Sequence, residues 1–348
     1  MPEHPSPITA DDVAEHLGIS RSTVSRAFTP GASVSEKTRQ LVLRKAKALG
    51  YRRNELASAL TSSRKRIVGI VMAELENPIH ATLIERFTRE LQQAGSAPIA
   101  IGLGRESDFD AVLETLMQYQ VGVVVLASLQ VTPAILRACE QAAVPTLALG
   151  RLVDTPSVSS ITADQFQGGL LAARHAIESG YRRIAVITGP RSRWTSWARE
   201  VGFLRGLDAE GLSPIQRIVG DYTVESGSAV ANELFSKDKK QHPDLVYCAN
   251  DLMAIGLIDT ARDRFGLRVP QDLGVIGFDN IPMAAWTPYS ITTIELPIDA
   301  MVAAAVTKVC RIQEGQDPSP EKTLIPVSLV VRNSTGRAQF VGKHGRRP

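Results

Sequence analysis

A small all-α unit of the helix-turn-helix kind, followed by an α/β core of two doubly wound parallel-sheet lobes, is the fold class this sequence predicts. Three observations carry the prediction. Residues 9–50 fall into three short helical patterns divided by a glycine turn and by capped restarts. From residue 67 onward, strands that are apolar on both faces alternate with helices, which implies a parallel sheet covered on both sides. That alternation runs through twice, restarting near Ile161.

The helical unit is the most specific stretch. Ala10, Val13, Ala14 and Leu17 recur at helical spacing, and Asp11 and Asp12 stand in the first turn, where carboxylates favour the positive end of the helix dipole. This predicts a helix over 9–17, closed by Gly18, with Ser20 placed to cap a second helix through its hydroxyl. Two helices that cross steeply need a small residue at the contact, a glycine in the turn and a branched residue pointing back; Ala14, Gly18 and Val24 supply these in order. With Val24, Ala27 and Phe28 turned inward, Arg21, Ser22, Ser25 and Arg26 face outward and Thr23 lies near the helix start. Such donors suit the major groove of DNA. Ser35 caps a third helix that runs to Leu49 and stops at Gly50, with Val42, Ala46 and Leu49 supporting the other two.

The stretches DVAEHLGISRSTVSRAF, VSEKTRQLVL and LGYRRNELASAL resemble the DNA-binding region of the lactose-repressor and galactose-repressor family of bacterial transcription regulators. The resemblance extends over nearly the whole chain. It implies that Ser20, Arg21, Ser22, Thr23 and Arg26 meet DNA, and that residues 54–60 form a hinge helix that folds on DNA, with Asn54 and Ala57 at the contact and Leu60 as the wedge in the minor groove. An apolar wedge kinks DNA by unstacking a base step, and Ala57, Ser58 and Ala59 are small enough to let two such helices meet. Arg53 stands where the family usually has proline, and Ser58 and Ala59 replace its commoner Arg and Ser.

The core predicts, in order, the strand IVGIVMA, a helix opened by Asn77 and Pro78, PIAIGL, a helix from about Asp108, VGVVVLA, a helix opened by Thr132 and Pro133, and VPTLALG. The second series has a helix closed by Gly180, RIAVITG, a long helix ending before Gly211, IVGDY, a helix from Thr223, LVYCAN, a helix after Asn250, GVIGF, SITTI, a helix opened by Pro297 and one final strand, LIPVSLVVR. Two such lobes place a ligand cleft at the carboxyl ends of both sheets. The resemblance implies three crossings between lobes, expected near Ile161, Ile291 and Thr323. The expected organisation is a DNA-binding domain over 1–52, a hinge and linker over 53–66, a periplasmic-binding-protein-like core over 67–340 and a tail over 341–348. Lobe one then comprises about 67–161 and 292–323, and lobe two about 162–291 and 324–340.

For the cleft, GPRSRWTSWAREVGF resembles the family segment whose arginine before a Gly-aromatic pair binds the effector, which here is Arg199. A planar guanidinium can grip hydroxyl pairs or carboxylates in two places at once. GDYTVESG places Tyr222 at a position that stacks on ligand in the family; CANDLMAIG and VIGFDNIP place Asn250 and Asp279 toward it, with Asp251 left to cap a helix. Arg193 and Thr195 stand at spacings that reach the cleft in purine-repressor relatives. From lobe one come Ile79, His80 and Ser128, while Gly150 replaces an aspartate of some sugar-binding relatives. Two arginines, Arg191 nearby and His80 against the single acid Asp279 predict a positive pocket and an anionic ligand such as a sugar phosphate or sugar acid; the alternative is that Arg191 and Arg193 project into solvent and the ligand is a neutral sugar. Gly168 and Gly169 lack any phosphate-loop pattern and are read as close helix packing.

Composition supports this reading. Residues 1–66 carry 12 Lys and Arg against 6 Asp and Glu, and the remainder 27 against 30, so the positive charge sits where phosphates would be. Cys139, Cys248 and Cys310 are odd in number and widely spaced, which suits buried thiols in a reducing cytoplasm. No basic start precedes an apolar stretch and no run approaches membrane-spanning length. The expectation is a cytoplasmic, homodimeric repressor, or a tetramer, with double-stranded operator DNA and a small-molecule effector as partners. Neither cofactor, metal nor membrane is expected. The alternative is a solute-binding protein of the periplasmic type; a sugar-processing enzyme would need a nucleophile, metal cluster or acid/base pair that the sequence does not offer.

Overall fold

The computed structural model describes residues 8–29, 31–51, 66–73, 75–104, 109–127, 131–316 and 319–336. The chain divides into two compact units, 1–65 and 66–348.

The first unit holds α1 (Ala10–Leu17), α2 (Arg21–Ala27) and α3 (Glu36–Leu49). Each begins at a side-chain cap: Thr9 accepts from the backbone N–H of Asp12, Ser20 from that of Thr23 and Ser35 from that of Thr38. Asp12 returns the bond to Thr9, which completes a capping box. Val13, Ala14, Val24, Ala27, Val42 and Ala46 form the core, and Phe28 packs edge-on against Tyr51 at its margin. The expected hinge residues Asn54, Ala57 and Leu60 lie outside the described residues.

The second unit contains two six-stranded sheets. The first is built from β1 (Ile67–Met72), α4 (Pro78–Gln93), β2 (Ala97–Gly102), α5 (Phe109–Gln118), β3 (Val123–Ala127), α6 (Pro133–Gln141), β4 (Thr146–Leu149) and β5 (Val158–Ala163). The second takes α7 (Gln165–Glu178), β6 (Ile184–Thr188), α8 (Trp194–Asp208), β7 (Gln216–Val219), α9 (Val224–Phe235), β8 (Leu245–Cys248), α10 (Asp251–Phe265), β9 (Gly274–Asp279) and β10 (Thr292–Glu295). The chain then returns through α11 (Ile298–Gln313) and β11 (Lys322–Ile325) to the first sheet and ends with β12 (Ser328–Val330) in the second. Strand orders are β11-β5-β4-β3-β1-β2 and β12-β10-β9-β8-β6-β7; the described pairings are parallel except β10 with β12.

Alternation of side chains explains the layers. Val68, Ile70 and Met72 of β1 join the cluster that includes Leu83 and Phe87 of α4 and Val302 and Val309 of α11. Gly69 lies on the opposite face, where a methyl group would meet Leu116 of α5. In the second lobe α7 and α8 touch backbone to backbone: a Cβ at Gly169 would overlap the main chain of α8 and one at Gly202 the carbonyl of Phe166, while Gly168 makes room for Phe278. The expected packing role of Gly168 and Gly169 is the one the structure shows.

Three expectations need correction. The segment 292–295 belongs to the second sheet, so the second crossing falls after Glu295, not at Ile291. The expected single final strand is two, one per sheet, and the third crossing lies between Ile325 and Ser328, beyond Thr323. The first crossing follows Ala163, two residues past Ile161, because β5 belongs to the first sheet to its end. Cys139 and Cys248 are buried as free thiols, but Cys310 is only half-buried.

Candidate functional site

In the helical unit, α2 turns Val24 and Ala27 into the core and leaves Arg21, Ser22, Ser25 and Arg26 exposed, with Thr23 half-buried at the first turn. Arg21 approaches Asp11 of α1 at 3.6 Å, with both side chains largely in solvent. Arg26 folds back along its helix to the carbonyl of Ser22 at 3.2 Å. The hydroxyl of Ser20 lies 2.8 Å from that of Ser22 and 2.9 Å from that of Thr23. Two guanidiniums and a hydroxyl cluster thus share one face of a two-turn helix.

The second feature is a cavity of about 390 Å³ between the two lobes, lined by loops that follow the strands. That volume suits a small metabolite. Of the expected residues, Ile79, His80, Arg193, Thr195, Arg199, Tyr222 and Asp279 line it. Ser128 lies outside the described residues, and Arg191 is exposed and off the lining. Asn250 is also off the lining and buried: its side chain caps α10 through the N–H of Met253 at 3.0 Å and donates to the carbonyl of Tyr222 at 3.0 Å. Asp251 caps nothing; it accepts from the N–H of Ile281 at 2.9 Å and from the Thr293 hydroxyl at 2.6 Å. Asn250 therefore takes the cap expected of Asp251, and neither residue lines the cavity.

The floor is a buried ion pair. Arg199 donates through Nη2 to Asp279 at 2.8 Å, through Nε to Gln165 at 2.7 Å and through Nη1 to the carbonyl of Ala249 at 2.6 Å, and its guanidinium lies 3.8 Å from the centroid of the Phe278 ring. Burial works against its charge, and the carboxylate of Asp279 overrides that cost, so its pKa ends above the ordinary value. Side-chain exposures of 7% and 3% leave the pair in low dielectric, where a ligand hydroxyl bridging it forms strong hydrogen bonds. Backbone strain gathers here: Tyr222, Asp279 and Asn280 have φ of 73°, 107° and 56°. Non-glycine residues hold such angles only where the surroundings over-determine them. The Tyr222 ring fills the space left by Gly189, and Arg193 stands 6.0 Å from its centroid.

The expected positive charge is not there. Glu76, Asp221, Glu225 and Asp279 line the cavity against Arg151, Arg193 and Arg199. Asp221 is held below the usual carboxylate range, first by the Thr223 hydroxyl. Sequence reasoning missed Gln165, Glu76, Asp221, Glu225 and Arg151. Asp221 had a signal, since Asp-x-Thr before an apolar run is a turn and cap pattern; Gln165 had none. Opposite the polar floor, Ile79, Leu83, Ile298 and Met301 give an aliphatic wall.

Among the described residues there is no group of three His, Cys, Asp or Glu that could hold a metal ion, and no helix long and apolar enough to cross a membrane.

Residues 9–54 match the family of bacterial regulatory proteins, lacI family, and residues 173–335 match the periplasmic binding protein-like domain. The chain is 33% identical to the HTH-type transcriptional repressor PurR of Photorhabdus laumondii over 354 residues, covering 96% of this chain and 98% of that one. It is 33% identical to the HTH-type transcriptional regulator MalR of Streptomyces coelicolor over 349 residues, with coverage of 96% and 98%. Among solved structures it is similar to the lac repressor dimer bound to operator and the anti-inducer ONPF, with a TM-score of 0.84 at 26% identity over 95% of this chain and 100% of that one. The transcriptional regulator CelR in complex with cellobiose superposes with a TM-score of 0.71 at 29% identity, covering 94% and 99%.

Proposed function

Because this chain belongs to the lacI family of bacterial regulatory proteins, we propose that it is a cytoplasmic repressor that binds a pseudo-palindromic DNA operator as a homodimer and catalyses no reaction. The observation that carries the reading is α2, a Ser20-capped helix with Arg21, Ser22 and Arg26 on one exposed face of a unit that has its own core. Its N-terminal end presents donors suited to base edges, and the surrounding lysines and arginines suit phosphates. One such helix reads a few base pairs, too little for discrimination against a genome, which is why a dimer is required. Enrichment from a random duplex library by the wild-type chain tests this. Two inverted half-sites and binding that weakens steeply with salt are expected; enrichment of no sequence, or a flat salt response, would refute it.

The effector site is the interlobe cavity, with Arg199 and Asp279 as its floor and Arg193, Thr195, Tyr222, Ile79 and His80 around it. The balance of four carboxylates against three guanidiniums favours a neutral, hydroxyl-rich metabolite over an anion. Hydroxyls would meet the polar floor and ring carbons the aliphatic wall. Thermal-shift measurements with neutral sugars against their phosphates and acids separate these classes, since bound ligand raises apparent stability. A phosphate or acid giving the largest shift would overturn the neutral assignment.

A further inference from the structure

The helix that reads DNA is the one whose end is closed from outside. Of the three described helices in the unit, α1 ends at Gly18 and α3 at Gly50, both left-handed, with φ of 61° and 73°, and the glycine N–H groups bond back to the last carbonyls. Helix α2 has no such glycine: Phe28 at its end is right-handed, with φ of −86°. The guanidinium of Arg39, carried by α3, takes that place. Its Nη1 donates to the carbonyl of Ala27 at 2.7 Å and to that of Thr29 at 3.1 Å, and its Nη2 to that of Ala32 at 3.2 Å. The side chain is only 20% exposed. A planar fork of donors suits a fan of carbonyls, and a cation suits the negative end of a helix.

We propose that Arg39 is the positioning residue of the DNA interface: it closes α2 from α3 and so fixes the angle at which Arg21, Ser22 and Arg26 are presented, without contacting phosphate. The proposal rests on reading α2 as the DNA-reading helix. Arg26 precedes the capped Ala27, and α2 has only 7 residues, so movement at its last turn is carried to Arg21. Three of its five N–H donors are held by carbonyls and Nε lies 4.0 Å from the Glu36 carboxylate, which argues against counting Arg39 among the phosphate contacts.

The test uses the full chain, a duplex enriched by the wild type and a random-sequence duplex of equal length. Arg39→Met, which keeps the apolar stem and removes the donors, is expected to weaken binding to the enriched duplex roughly tenfold and to leave random-duplex affinity and its salt slope unchanged. Arg39→Gln, which keeps two donors, should lose about threefold. A phosphate contact would behave differently: both duplexes would weaken equally and the salt slope would fall by about 1, which would overturn the proposal. Wild-type discrimination in Arg39→Met would also overturn it. If Arg39→Met fails to melt cooperatively, Arg39→Gln decides, and a folded Gln variant with undiminished discrimination sinks the idea. A wild-type chain that enriches no sequence removes the DNA-binding reading itself.

Discussion

Replacing Arg199 with Met removes the cation beneath the cleft and leaves Asp279 in place with a side-chain exposure of 3%. Breaking a buried pair from one side costs about 3–5 kcal/mol, because the remaining charge has no partner. Gln165 and the carbonyl of Ala249 lose their donor as well, at about 1 kcal/mol each. The expected loss is therefore about 5–7 kcal/mol, comparable to the lower end of the roughly 5–15 kcal/mol that holds a folded protein together. Asp279→Asn should be milder, since Asn tolerates the left-handed backbone and still accepts one bond. The double variant removes both charges and should recover about 2–3 kcal/mol relative to the sum of the singles. Urea titrations followed by far-UV circular dichroism give the three free energies. A double variant whose loss equals the sum within about 0.5 kcal/mol would refute the argument that the pair is held by mutual compensation.

Gly202→Ala forces a methyl group onto the carbonyl of Phe166 and must part α7 from α8. A loss of about 3 kcal/mol and a fall in melting temperature of roughly 10 °C are expected, whereas Gly102→Ala, with nothing nearby, should change little. Burial first, and the neighbouring Asp279 second, push Asp251 up to about 8. Its folded pKa lies above the unfolded value, so the native state binds the extra proton between those values and stability falls as pH rises through that window, by about 1.4 kcal/mol per pH unit at most. Asp251→Asn should flatten this slope, measured as the urea midpoint against pH; an unchanged slope would assign the dependence to another group.

The helical unit was legible because its signals are local. Thr9, Ser20 and Ser35 cap through their own side chains, Gly18 and Gly50 turn the chain, and each can be read within four residues. The inner strands β1, β3, β4, β6, β8 and β9 were legible for a related reason, since burial on both faces leaves a nearly unbroken apolar run. Which sheet a run joins is a different matter. Lys322–Ile325 returns to pair with Val158–Ala163 across the whole second lobe, and Thr292–Glu295 sits between β9 and β12; no residue within these runs names the partner. The same limit applies at the cleft. Arg199 and Asp279 could be placed by resemblance, but Gln165 and the carbonyl of Ala249 meet Arg199 only because α7, α8 and the end of β8 converge. Asn250 and Asp251 show the finest ambiguity: either could cap α10, and a shift of one residue decides which is left for Ile281 and Thr293.

The last two strands also bear on how the chain is made. β11 completes one sheet and β12 the other, and only two residues, Pro326 and Val327, separate them. A ribosome adding about 5–20 residues per second delivers them only after every other strand has emerged. Until then β5 and β10 each offer an open edge, and such an edge is a template for pairing with the wrong chain. The lobes therefore cannot be finished one after the other during synthesis. Both are sealed in the same few seconds, so two sheet edges stay unpaired until the last strands emerge.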